Sequence, residues 1–357
     1  MNHRLVALVL ATLSPLSVSL SGCIGRARIN PKAIAQLRAG TRALAADRLD
    51  EAQARLTIAL EYNPSFPEAY NGLGLIAYRR QQLVAAARFF RDAILRREDF
   101  AEAHNNLGVV LLAQHDLLAA RASFRAALAV DPGYVNARYN LVLVDLRRGA
   151  LALARRELLK VIALAPKMAD AHAELGCLEL VMSRRARAEA HLRRALALDA
   201  RSVPALRCRA RLAREGGDLP GAERGYRRAL AIDPHDSGAL YGLAVTLALA
   251  NRSADAVAFV ARVVRQRPRF AAAHFVLGYL LAKQHAPRVV AAEASLRRAL
   301  QLTPRYPAAH LALADLLVAR GQQTAATTHY RAFLTCVPAE LAGERARVVA
   351  KLALAAR

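Results

Sequence analysis

An alanine ladder with a spacing of 34 residues runs through almost the whole chain. Ala35 recurs at Ala69, Ala103, Ala137, Ala171, Ala205, Ala239 and Ala273, and after a two-residue slip at Ala309. A second rung recurs in parallel at Ala52, Ala86, Ala120, Ala154, Ala188, Ala222, Ala256, Ala292 and Ala326. A period of this length means stacked supersecondary units, none of which can bury its own apolar face alone. Numbered from Ala33, Pro67, Ala101 and so on, the rungs fall at positions three and 20 of each unit. Each unit holds two amphipathic stretches of about 14 residues with apolar positions at helical spacing. Alanine at the rungs lets neighbouring helices approach closely; a larger side chain there would overpack the contact, at about 1–3 kcal/mol. Stacking of this kind builds a binding surface rather than an active site.

The residues between the rungs define the unit. A Leu-Gly pair at positions seven and eight appears as Leu73-Gly74, Leu107-Gly108, Leu175-Gly176 and Leu277-Gly278. A bulky residue follows at position 24, as Phe90, Phe124, Leu158, Tyr226 and Tyr330. Proline closes most units at position 32, as Pro64, Pro132, Pro166, Pro234, Pro268, Pro304 and Pro338, because it cannot continue a helix. This pattern resembles the tetratricopeptide repeat over residues 33–340. The resemblance implies an all-α, right-handed α-solenoid of nine helix-turn-helix repeats. The slip falls at Lys283-Gln284-His285-Ala286-Pro287, in the turn between the two helices of repeat eight, where an insertion only lengthens a loop. Residues 341–357, with Leu341, Val348, Val349 and Leu352 on the apolar side, are expected to form a capping helix over the open end.

The N-terminus carries a different signal. Arg4 gives a basic start, and Leu5–Leu20 form a mostly apolar segment broken by serines and Pro15, too short and interrupted for a span and suited to secretion. Leu20-Ser21-Gly22-Cys23 resembles the bacterial lipobox at every position. The resemblance implies a signal peptide over 1–22, cleavage before Cys23, and lipidation of that cysteine and its new amine. Several acyl chains anchor far more firmly than one. Ile24, rather than aspartate, follows the cysteine, which by the sorting rule of diderm bacteria implies the periplasmic face of the outer membrane. The linker through Lys32 reaches at most about 30 Å when extended, so the solenoid is expected to stay near the bilayer.

The formal net charge is +24, and +23 once residues 1–22 and Arg4 with them are removed. In a cytosolic chain that charge would point to nucleic acid. An exported one rarely meets it, and no aromatic-interleaved basic motif is present, so nucleic acid is not an expected partner. Arginine recurs at position 25 as Arg91, Arg125, Arg193, Arg227, Arg297 and Arg331, on the second helix, as a solvated outer face or, alternatively, a contact for an acidic partner or anionic lipid. No phosphate-cradling loop, His-Glu-x2-His or Cys-x2-Cys motif occurs. His104, His172, His274 and His310 sit at position four, where a packing aromatic is usual, and their one-repeat spacing is not that of a metal cluster. The expectation is therefore no enzyme, no cofactor, no metal and no small-molecule substrate. Cys177 and Cys208 lie on neighbouring first helices in a compartment that permits disulfides. Axes about 8–10 Å apart argue against their pairing.

In the repeat family the ligand contacts first-helix positions two, five, six, nine and 12. Those positions read Asn71 and Tyr78 in repeat two, Asn105 and Asn106 in repeat three, and Asn136, Tyr139 and Asn140 in repeat four. Later come Tyr241, Phe275 and Tyr279. Asparagine both donates and accepts, so a column of them can hold a peptide backbone, and tyrosine adds apolar area with a polar tip. The alternative use of the same residues is packing within the repeats. The lysine, asparagine and arginine clamp for C-terminal carboxylates is absent. Repeat six departs from the pattern, with Arg209 at position seven and Arg207, Arg211 and Arg214 along one helical face. That arrangement is either a basic groove patch or a rotated, loosely packed helix.

Lipobox and repeats together look most similar to lipidated proteins that chaperone the secretin of type IV pili. They imply a membrane-tethered scaffold that binds envelope proteins during pilus or secretin assembly. The alternative is a subunit of a polysaccharide synthesis or export complex.

Overall fold

The computed structural model describes residues 30–284, 288–337 and 341–355. The signal segment, Cys23 and most of the linker lie outside the described residues, as do three residues of the repeat-eight turn. Every element is an α-helix, and the helices pair into successive hairpins. Contacts divide the chain into two compact units, ending at Ala171 and beginning at His172.

The first unit holds α1 (Pro31–Ala45), α2 (Leu49–Tyr62), α3 (Pro67–Arg79), α4 (Leu83–Arg96), α5 (Ala101–Ala113), α6 (Leu117–Val130), α7 (Val135–Arg147) and α8 (Leu151–Leu164). Helix α9 (Ala169–Val181) contains the division. The second unit continues with α10 (Arg185–Leu198), α11 (Val203–Glu215), α12 (Leu219–Ile232), α13 (Ser237–Leu249), α14 (Ser253–Gln266), α15 (Ala271–Ala282), α16 (Val289–Leu302), α17 (Pro307–Ala319) and α18 (Gln323–Cys336). Helix α19 (Ala342–Ala355) closes it.

The ladder is the spine of both units. All nine position-20 alanines, from Ala52 to Ala326, are fully buried, as are the position-three alanines from Ala69 to Ala309. Ala35 is exposed, because no described repeat precedes its own to cover that face. The glycine at position eight has a steric cause. A Cβ on Gly74 would stand 2.6 Å from the Phe90 ring, one on Gly108 2.6 Å from Phe124, and one on Gly176 2.7 Å from Leu192. In these repeats the bulky position-24 residue packs directly against the backbone of its partner helix, in the space a position-eight side chain would take.

Position 15 supplies the turn. Its φ is positive in every described case: Asp47, Gln81, His115, Gly149, Ser183, Gly217, Asn251 and Gly321. Five of these are not glycine, so the tight hairpin imposes a left-handed residue whose side chain opposes it. The capping helix docks less completely than its sequence suggests. Val348 is buried and Leu352 half-buried, whereas Leu341 and Val349 are about half exposed. Polar contacts do the rest: Arg345 donates to the carbonyls of Leu334 and Val337, and Lys351 pairs with Asp315 at 2.6 Å.

Candidate functional site

The asparagines of repeats two to four do not face a groove. Asn105 and Asn106 are 0% exposed, Asn140 2% and Asn71 5%. They bond to one another across successive first helices. Asn106 Nδ2 donates to Asn71 Oδ1 at 3.0 Å, Asn105 Nδ2 to Asn106 Oδ1 at 3.3 Å, and Asn140 Nδ2 to Asn105 Oδ1 at 2.9 Å. Buried amides demand partners, and here position six of one repeat meets position five of the repeat before it. The ladder therefore ties α3, α5 and α7 together and is closed to a ligand. Tyr139 is likewise buried at 2% exposure. Of the first-unit candidates only Tyr78 and Asn136 keep partial access, and burial raises the Tyr78 hydroxyl above its ordinary pKa.

The second unit presents a different surface. Tyr241 on α13 and Phe275 and Tyr279 on α15 are partly or largely accessible, Tyr279 at 44%. Phe275 lies 6.1 Å from Tyr279 and 5.1 Å from Tyr306, and Tyr241 lies 5.1 Å from Phe270. Tilted rings at these centroid distances are favourable pairs, so the patch is ordered before any partner arrives. Cations rim it: the Arg267 guanidinium sits 4.7 Å from the Phe270 centroid and Lys283 Nζ 5.9 Å from that of Tyr279. Burial raises the Tyr241 and Tyr306 hydroxyls above their ordinary pKa, so they stay protonated donors. Tyr306 and Phe270 escape a reading by helix position because they cap the helices rather than sit within them.

The cysteines correct the sequence expectation. Cys177 and Cys208 form a disulfide, with Cα atoms 5.5 Å apart. An interaxial distance is measured between axes, whereas Cα atoms ride about 2.3 Å out from each, so facing residues come within bridging reach. The position-four histidines bind structure: His104, His274 and His310 place Nε2 against the carbonyls of Glu98, Pro268 and Pro304 at 2.8, 3.0 and 2.9 Å. Among the described residues no three metal-ligating side chains converge, and no helix is long and apolar enough to cross a membrane. The position-25 arginines are exposed, and Arg193, Arg227 and Arg297 pair with glutamates one turn earlier.

One tetratricopeptide-repeat family matches residues 37–103, 85–129, 105–169, 173–237 and 288–340, and a second matches 213–283. The chain is a tetratricopeptide-repeat protein. Among curated proteins none matches it. Solved structures share the fold. The Cut9–Hcn1 hetero-tetramer of the APC/C aligns over 79% of this chain and 55% of its own, at 17% identity and a TM-score of 0.62. This repeat protein thus spans little more than half of that structure's length. A tetratricopeptide-repeat protein from Parabacteroides merdae aligns over 71% of this chain and 98% of its own, at 18% identity and a TM-score of 0.56. Pseudomonas aeruginosa PilF aligns over 58% of this chain and 95% of its own, at 20% identity and a TM-score of 0.54.

Proposed function

We propose that this protein is a lipid-anchored scaffold that binds a protein partner during assembly of an envelope complex, foremost a pilus secretin, and is not an enzyme. The observation that carries the binding role is the ordered, accessible aromatic patch of Tyr241, Phe275, Tyr279 and Tyr306 with its cationic rim. Rings of this kind anchor recognition surfaces because they supply area at little entropic loss. The anchor is the lipobox cysteine, Cys23, which would hold the protein at the periplasmic face of the outer membrane. The pilus reading rests on the pairing of lipobox with repeats, and the shared fold with PilF is compatible with it.

Secretin assembly in a strain lacking the protein tests this. Heat-stable secretin multimers should disappear, return with the wild type, and fail to return with Cys23→Ala or with Phe275→Ala plus Tyr279→Ala. Intact multimers together with loss of surface polysaccharide would transfer the protein to a polysaccharide export complex.

A further inference from the structure

Within a hairpin, position 23 of the second helix meets position four of the first. The pairs are Arg55 on Gln36 at 3.3 Å, Arg138 on Glu157 at 2.8 Å, and His310 on His329 at 3.0 Å. Repeat six has no polar pair in this column: Leu206 is buried, and Ala210 packs 2.8 Å from where a Cβ on Gly225 would stand. Gly221, one turn earlier, has the capping Asp218 carboxylate against it. Position seven, leucine in Leu73, Leu107, Leu141, Leu175, Leu243, Leu277 and Leu313, is here Arg209, and it is exposed. A cavity of about 360 Å³ lies between α11 and α12 and is lined by Arg209.

Its walls are charged and its floor apolar. Arg209, Arg224 and Arg228 line it above Leu206, Ala210 and Ala213. None of the three arginines has a hydrogen bond or ion pair among the described residues. The carboxylates close by in sequence are engaged: Glu215 with Arg211, and Glu223 with Arg227 and Arg252. Asp218, the one acid lining the cavity, accepts from the Gly221 amide at 2.8 Å as a helix cap. Three arginines thus line the cavity against a single carboxylate residue.

We propose that this cavity binds a phosphate monoester. Guanidinium forks match phosphate oxygens bidentately, and they keep their charge at any physiological pH. The apolar floor suits the carbon portion of an ester rather than a bare inorganic ion. The bound ester is a ligand, not a substrate, because no nucleophile or general base lines the cavity besides the capping Asp218. The site lies between the two helices of repeat six and is independent of the aromatic patch.

Calorimetric titration of the full-length, detergent-solubilised protein with glycerol 1-phosphate should show saturable binding at one site per chain. Arg209→Leu restores the residue seven other repeats carry, so it should fold normally and weaken binding at least tenfold. Arg297→Gln removes the same charge from the outer face and should leave binding unchanged, which separates the cavity from overall charge. Vesicles of phosphatidylcholine with and without phosphatidic acid, the lipid that carries a phosphate monoester, distinguish the source. Capture by the anionic vesicles that glycerol 1-phosphate competes away assigns the ester to a lipid headgroup, and binding of the soluble ester alone assigns it to a free metabolite. Absence of saturable binding to ester and vesicles alike, or equal binding by Arg209→Leu, would overturn the proposal.

Discussion

Replacing Asn106 with alanine should destabilise the first unit rather than weaken partner binding alone. The side chain donates to Asn71 Oδ1 at 3.0 Å and accepts from Asn105 Nδ2 at 3.3 Å, and both neighbours are at most 5% exposed. Truncation leaves the Asn71 carbonyl oxygen buried without its donor, a loss of about 1–3 kcal/mol. Asn105 keeps further contacts, so its share is smaller. The more specific expectation concerns the pair. Asn71→Ala in the Asn106→Ala background removes the orphaned acceptor itself, so the double variant should lose less than the sum of the singles, by about 0.5–2 kcal/mol. Urea unfolding followed by helical circular dichroism reads all three variants against Arg125→Gln, an exposed control expected to stay within about 0.5 kcal/mol. A single-variant loss as small as the control's, or strict additivity, would refute a coupled, buried ladder.

Three further outcomes follow from the packing. Ala154→Leu, at a fully buried rung, should lose about 1–3 kcal/mol by overpacking, read from the same unfolding curves. Gln81→Gly should gain about 1 kcal/mol in thermal unfolding, because Gln81 sits at φ 61° and glycine adopts that conformation without the side-chain clash. Burial, then the nearby His310 and Arg297, hold the His329 pKa below 6.5, so the unfolded chain takes up a proton first as the pH falls. His329 therefore contributes stability that is present above pH 6.5 and lost as the pH drops through its lower folded value. Melting curves at successive pH values should show this loss, and His329→Phe, which places at position 23 the ring that Phe89 and Phe259 already supply, should flatten it.

The stack was legible because its determinants repeat. Alanine at two rungs recurs through the repeats, glycine stands opposite a bulky residue in several of them, and each recurrence reports the same close approach. The function of the asparagines was harder to read, because helix position alone places them toward a groove and is silent on which neighbour they meet. A usable signal existed: Asn71 and Asn106, and Asn105 and Asn140, stand 35 residues apart, one more than the repeat, which is the offset between facing points on successive first helices. The 31-residue separation of Cys177 and Cys208 carries the same information about facing helices. Arg209 stood out in the sequence, yet the cavity it lines also takes Arg224 and Arg228 from the second helix, a convergence visible only once α11 and α12 are paired. Tyr306 joined the aromatic patch from a helix cap, outside any positional rule.

The binding role of the aromatic patch is tested most directly by photo-crosslinking in living cells, with the reactive side chain placed at position 279 or, on the outer face, at position 125. The account predicts that position 279 captures the secretin subunit and that Phe275→Ala abolishes the capture, while position 125 captures none. Capture from position 125 alone would contradict it and move the binding surface to the arginine-bearing outer face.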